Sequence, residues 1–135
     1  MKDLLELAPP VERPFFEGCR QGVLRLQRCR RCGRLQGYPR TSCAGCWSDD
    51  LQWVDASGEG CVVSYTVVRL PLDPALPPPY VVALVRLEEG PILLGHVLDC
   101  PPEAVSVGMA VRAGFADRGA WKSLVVFYPS QPIAR

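Results

Sequence analysis

Two short runs decide how this chain folds: Cys29-Arg30-Arg31-Cys32-Gly33 and Cys43-Ala44-Gly45-Cys46-Trp47. Together they form the pattern C-x2-C-x10-C-x2-C. Each close pair bends one segment around two positions of a tetrahedral metal site. The ten residues between the pairs let a short loop bring the second pair opposite the first. Four ligands of one soft type leave no open position, so the site is expected to be structural. Zinc is the first expectation and iron the second, because a thiolate tetrahedron accepts both. Gly33 can take positive φ and turn its amide toward sulfur. Trp47 holds the equivalent place after the second pair, so that turn departs from the usual form. Cys19, Cys61 and Cys100 are left over and read as ordinary thiols. Seven cysteines, an odd number, make a disulfide framework a poor reading.

Charge is concentrated around the same runs. Residues 13–40 hold eight arginines and one acid, Glu17, a balance of +7; the rest of the chain carries seven basic and thirteen acidic residues, a balance of −6. A four-thiolate divalent site has a formal charge of about −2. Neutralising it is one reason for arginines nearby. The overall charge of +1 argues against a protein that coats nucleic acid.

The chain has 135 residues, 48% of them hydrophobic and 21% charged, which suits a single packed unit or a small module beside one. No apolar run approaches a membrane span. Met1–Pro10 lacks the basic and apolar regions of an export signal, so a cytoplasmic location is expected.

Residues 1–12 read as a loose arm. Pro14–Gly22 reads as a short helix, with proline at its start and glycine at its end. Val23–Arg28 reads as a strand feeding the first cysteine pair, and Leu51–Val54 as a strand leaving the second. From Gly58 onward every signal is β. Strands are expected at Cys61–Leu70, Tyr80–Leu87, Ile92–Leu98, Met109–Phe115 and Leu124–Tyr128. Five prolines in residues 71–79 mark a stiff loop. Asp117–Ala120 reads as a turn, and Glu103–Gly108 as a connector with one helical turn. The fold class is therefore mainly β: an N-terminal helical segment, a rubredoxin-like zinc ribbon, then a five-stranded OB-type barrel. A two-sheet sandwich is the alternative. The expected divisions are 1–22, 23–54 and 55–135.

Several segments now point to a family. They are Pro14-Phe15-Phe16-Glu17-Gly18, the run Leu24–Gln36, Tyr38-Pro39-Arg40, Ser64-Tyr65-Thr66-Val67-Val68 and Pro79-Tyr80-Val81-Val82-Ala83-Leu84. In this order, around the two cysteine pairs, they resemble the zinc-ribbon/OB-fold acyl-CoA-associated proteins, long catalogued as a domain of unknown function. The resemblance covers roughly residues 13–130. It implies a small subunit, not itself catalytic, that assists a thiolase-like partner or a related aldolase or hydratase acting on CoA thioesters. One branch of the family serves a thiolase that cleaves an aromatic acyl-CoA. The resemblance also implies that CoA or acyl-CoA is bound partly by this subunit.

Under that resemblance the candidate CoA contacts are Phe15, Phe16, Arg30, Arg31, Tyr38, Tyr65 and Thr66. Each has a plainer reading. The arginines also serve as compensation for thiolate charge, although a guanidinium can hold phosphate with two parallel bonds. Phe15, Phe16 and Tyr38-Pro39 also serve as the small core of the ribbon. Tyr65 and Thr66 need partners only if they are buried. The proline loop is either an interface element or a stiff connector. His96 reads as a core or rim residue without a catalytic role. The competing class is a module for single-stranded nucleic acid, since ribbons and OB barrels both stack bases on aromatics in a basic groove. Against it, Gly58–Arg135 carries six basic and seven acidic residues, and no basic strand face stands out.

Overall fold

In the computed structural model, which describes residues 2–131, the chain runs in this order: β1 (Lys2–Asp3), α1 (Leu4–Leu7), α2 (Arg13–Gln21), β2 (Arg25–Cys29), β3 (Leu35–Gln36), β4 (Leu51–Asp55), β5 (Glu59–Val68), β6 (Tyr80–Leu87), β7 (Ile92–Val97), β8 (Ala110–Arg118) and β9 (Trp121–Pro129). A 3-10 turn at Pro102–Ala104 interrupts the connection from β7 to β8. The fold is mainly β, as the composition of the strands demands.

Strands β5, β6 and β7 form an antiparallel meander. Strand β9 then joins β7 in parallel, and β8 pairs with both β9 and β5. That double pairing closes the sheet into a five-stranded barrel and removes the sandwich alternative. Alternation sets which side chains fill it. Val81, Ala83, Val85 and Leu87 of β6 are buried, while Leu84 and Arg86 between them are exposed.

The ribbon is a three-stranded antiparallel sheet in the order β3-β2-β4. Helix α2 lies beside it, ended by Gly22 at φ 81°, where the helix reverses into a left-handed turn. Phe15 and Cys19 of α2 and Leu24 and Leu26 of the ribbon share one core with Val85, Leu93 and Phe127 of the barrel. The ribbon is thus packed onto the barrel through continuous apolar contact.

The segment expected as a loose arm, 1–12, is ordered from Lys2 onward. Lys2 and Asp3 pair in parallel with Trp121 and Lys122. The Asp3 carboxylate accepts from the Leu5 N–H at 3.0 Å and bonds the Arg20 guanidinium of α2. The Lys2 ammonium stands 5.0 Å from the centre of the Trp121 ring. All these partners but Leu5 are distant in sequence, so local patterning could not reveal them. The last strand begins three residues earlier than expected, at Trp121, because Asp117 accepts from the Ser123 N–H at 2.9 Å and an irregularity lies between Ala116 and Arg118.

The barrel wall has a gap. Strands β7 and β9 share only two residue pairs, His96 with Val126 and Val97 with Phe127. Before that point they diverge, and β9 turns to β1 instead. At the junction Gly95 makes room for the Phe127 ring: a Cβ on Gly95 would lie 2.8 Å from that ring. Because Phe127 is fully buried and cannot move aside, Gly95→Ala should destabilise the protein by about 1–3 kcal/mol. A thermal melt showing an unchanged midpoint would contradict this account.

Candidate metal centre and ligand cavity

The first cysteine pair sits where β2 ends, and the second follows the loop after β3. The ligand sulfurs of Cys29, Cys32, Cys43 and Cys46 all lie within 4.8 Å of one another. Two separations, Cys29 to Cys46 and Cys32 to Cys43, are 3.5 Å. A regular tetrahedron with zinc–sulfur bonds of about 2.3 Å has edges of about 3.8 Å. The donor set and its spacing therefore fit zinc, with four protein ligands and no open position.

Backbone amides turn toward the sulfurs. The Cys32 N–H approaches Cys29 Sγ at 3.4 Å, and the Gly45 and Cys46 N–H groups approach Cys43 Sγ at 3.3 and 3.5 Å. The amides of Cys46 and Gly45 bring the Cys43 thiol down to about 6, and the Cys32 amide lowers Cys29 as well. Both sulfurs are thereby prepared to bind as thiolates. Gly33 and Trp47 stand at matching places after the two pairs and both adopt left-handed backbone, φ 80° and 69°. Trp47 tolerates a conformation that glycine takes without strain, and its side chain is 79% exposed. By contrast, burial pushes the Cys19 thiol up to about 12, which keeps it neutral.

Two buried glutamines hold the loop between the pairs, a feature that residue patterning did not single out. Gln36 Nε2 donates to Gln27 Oε1 at 2.8 Å. Gln27 in turn accepts from the Arg40 N–H and donates to the Arg40 carbonyl, both at 2.9 Å. Gln36 also accepts from the Ala44 N–H at 3.0 Å and donates to the Ser42 carbonyl at 3.3 Å. These bonds satisfy backbone groups of residues 40–44, the approach to the second cysteine pair. The only sequence signal is a pair of glutamines at positions where a ribbon strand buries side chains.

A cavity of about 350 Å3 opens at the gap between β7 and β9. Phe15, Phe16 and Cys19 of α2, Tyr38 and Pro39 of the ribbon, and Leu93, Leu94 and His96 of β7 contribute to its walls. Such a volume lies within the range of small-molecule sites. The Tyr38 hydroxyl accepts from the Leu94 N–H at 2.9 Å, on the edge of β7 that β9 has left. His96 is half-buried there, and its Nδ1 accepts from Arg118 Nε at 3.1 Å. Burial, and then the charge of Arg118, lower the imidazole below its ordinary value.

The structure thus brings together three of the expected ligand contacts, Phe15, Phe16 and Tyr38. It leaves Tyr65 and Thr66 exposed on β5, outside the cavity. Arg30 and Arg31 are exposed on the first metal knuckle; Arg30 faces Asp50 at 3.7 Å and Gln52 at 3.3 Å. His96 stands in the cavity wall, not in the core.

A four-cysteine ribbon packed on a closed five-stranded barrel defines a zinc-ribbon/OB-fold protein. Comparison with known proteins agrees. Residues 16–52 match the rubredoxin-like zinc ribbon domain of ChsH2, and residues 53–116 match the C-terminal OB-fold domain of ChsH2. The chain belongs to this ribbon-plus-barrel family, DUF35. It is similar to a solved chain described as "Ltp2-ChsH2(DUF35) aldolase", with a TM-score of 0.83 and 35% identity, covering 92% of this chain and 98% of that one. It is 38% identical over 118 residues to a probable enoyl-CoA hydratase alpha subunit of Thermomonospora curvata, covering 87% of this chain but 37% of that protein. It is 30% identical over 87 residues to the benzoylsuccinyl-CoA thiolase subunit BbsA of Geobacter metallireducens, covering 64% of this chain and 53% of that one. The chain therefore spans little more than a third of the hydratase subunit and about half of the thiolase subunit. Among the described residues, no helix is long and apolar enough to cross a membrane.

Purified protein should carry one zinc ion per chain by elemental analysis, and Cys43→Ser should abolish stoichiometric zinc. Full zinc retention in that variant would remove Cys43 from the ligand set. Gln27→Leu should lower stability by about 1–3 kcal/mol, because both polar groups of Arg40 lose their buried partner. It should also speed zinc release to a chelator; an unchanged release rate would show that the glutamines do not support the site.

Proposed function

We propose that this chain is an accessory subunit of an enzyme acting on acyl-CoA thioesters. The catalytic residues lie on a partner of the thiolase superfamily, or on a related aldolase or hydratase. The observation that carries the reading is the cavity between α2, the ribbon and the barrel gap. It is lined mainly by apolar side chains and continues into exposed apolar surface. Leu94, 55% exposed, borders the cavity and pairs across the sheet with Leu84, 41% exposed; Ile92 lies nearby on the same face. Contiguous apolar surface of this kind suits a partner interface. Strain at an exposed residue is a further pointer, and Trp47 combines both. The names of the relatives, which include a hydratase alpha subunit, a thiolase subunit and an aldolase, support the same class of role.

In this reading Phe15, Phe16 and Tyr38 cover the pantetheine arm or acyl group of CoA. Exposed arginines of the first knuckle, Arg30 and Arg31, reach its phosphates or an acidic partner. The zinc site is structural and keeps the ribbon in register with the barrel. Phe15, Phe16 and Cys19 of the N-terminal segment and Tyr38 and Pro39 of the ribbon supply one wall of the cavity, and β6, β7 and β9 of the barrel the other. A cytoplasmic location goes with it, since thiolate ligands persist under reducing conditions. The nucleic-acid reading has weaker support, because the basic residues belong to the ribbon and not to the barrel strands.

Affinity capture of the tagged chain from its native host tests the proposal. A thiolase-superfamily, aldolase or hydratase subunit is expected in near-stoichiometric amount, and Leu84→Asp with Leu94→Asp should reduce its recovery by at least tenfold while zinc content is unchanged. Recovery of nucleic acid with steeply salt-dependent affinity, or capture unaffected by the two aspartates, would overturn the assignment or its interface.

A further inference from the structure

The cavity is apolar except at a few points, and His96 is one of them. This is the chain's single histidine. Its Nδ1 is already committed to Arg118, whose Nε lies 3.1 Å away. A guanidinium only donates and stays charged throughout the accessible pH range, so Nδ1 must offer its lone pair. A neutral imidazole with an unprotonated Nδ1 carries its hydrogen on Nε2. A second proton would have to displace the Arg118 bond and add a like charge beside the guanidinium. The Tyr80 ring, with its centroid 5.2 Å from that of His96, further restricts the imidazole. The ring is thus held as a directed donor in the wall of a mainly apolar space, in which Glu12, Tyr38 and Ser123 are the other polar residues.

We infer that the cavity is a site for a small apolar group carrying a carbonyl, and that His96 Nε2–H is the donor to that carbonyl oxygen. Arg118 is then a positioning residue, acting by fixing the tautomer. Shape and apolar contact with Phe15, Phe16 and Leu93 admit the body of the ligand. The histidine selects those with an acceptor at the right depth, because an occupant without one would shut the half-buried N–H off from water and leave it unpaired. This deepens the ligand-site reading of the cavity given above. It does not depend on which enzyme the chain assists.

The test uses the full zinc-loaded chain and two probes of similar shape, acetophenone and ethylbenzene. Long-range nitrogen–proton NMR of the single histidine should show the Nε2–H tautomer, and saturating acetophenone should shift Nε2. The affinity ratio of acetophenone to ethylbenzene should fall by about three- to tenfold in His96→Phe. It should survive in His96→Gln, whose amide retains a donor. Arg118→Met should convert the tautomer signature to a mixture and reduce the ratio. The inference is overturned if neither probe binds, if Nε2 does not respond, or if His96→Phe leaves the ratio unchanged with zinc content intact. Because no partner enters this experiment, its failure beside successful capture of an acyl-CoA enzyme would reject the role of His96 alone. The opposite combination would reject the partner reading and leave the site.

Discussion

The constraint on which the architecture depends is the brevity of the contact between β7 and β9. A barrel of five short strands must close, yet these two strands share just two residue pairs before separating. Closing at that point requires Phe127 to sit against a glycine, Gly95. Beyond it, β9 no longer covers the edge of β7, and Tyr38 from the ribbon bonds that edge instead, by accepting from the Leu94 N–H. The gap thus draws the ribbon and α2 onto the barrel, and the space left beneath them is the cavity.

That arrangement explains why a metal site with no open position matters to a site some distance away. None of the four metal-site cysteines lines the cavity. A zinc ion bound by them would hold the two cysteine pairs together, and the Gln27–Gln36 pair ties residues 40–44 to the same unit through backbone bonds. Tyr38 and Pro39 lie in the same loop. The order of the loop therefore passes from thiolate coordination to buried amides to an aromatic wall.

Much of this is legible in the residues alone. The cysteine spacing names the ribbon and all four ligands, because a C-x2-C turn is a local device. Proline at 14 and glycine at 22 bound α2 for the same reason. Alternation locates the barrel strands, with Tyr80–Leu87 matching residue for residue. What escapes is long-range. The N-terminal arm is ordered by Trp121, Lys122 and Arg20, none of them nearby in sequence. Tyr65 and Thr66 resemble ligand contacts in the family pattern but are exposed on a strand outside the cavity. The apolar neighbours of His96 suggest a core or rim position, while Ile92 and Leu94, on the same face, prove to be exposed.

By itself, then, the sequence determined the metal ligands, the class of fold, the approximate strands and the resemblance that points to acyl-CoA chemistry. These rest on residue type at short spacing, where covalent geometry limits the outcomes. Only the tertiary structure decided that Phe15, Phe16, Tyr38 and His96 share one cavity, that Arg118 sets the histidine's tautomer, and that two glutamines brace the metal loop. Those relations join residues well separated along the chain. No local pattern encodes them, because they arise only when strand closure forces one gap in the wall and the rest of the chain packs to cover it.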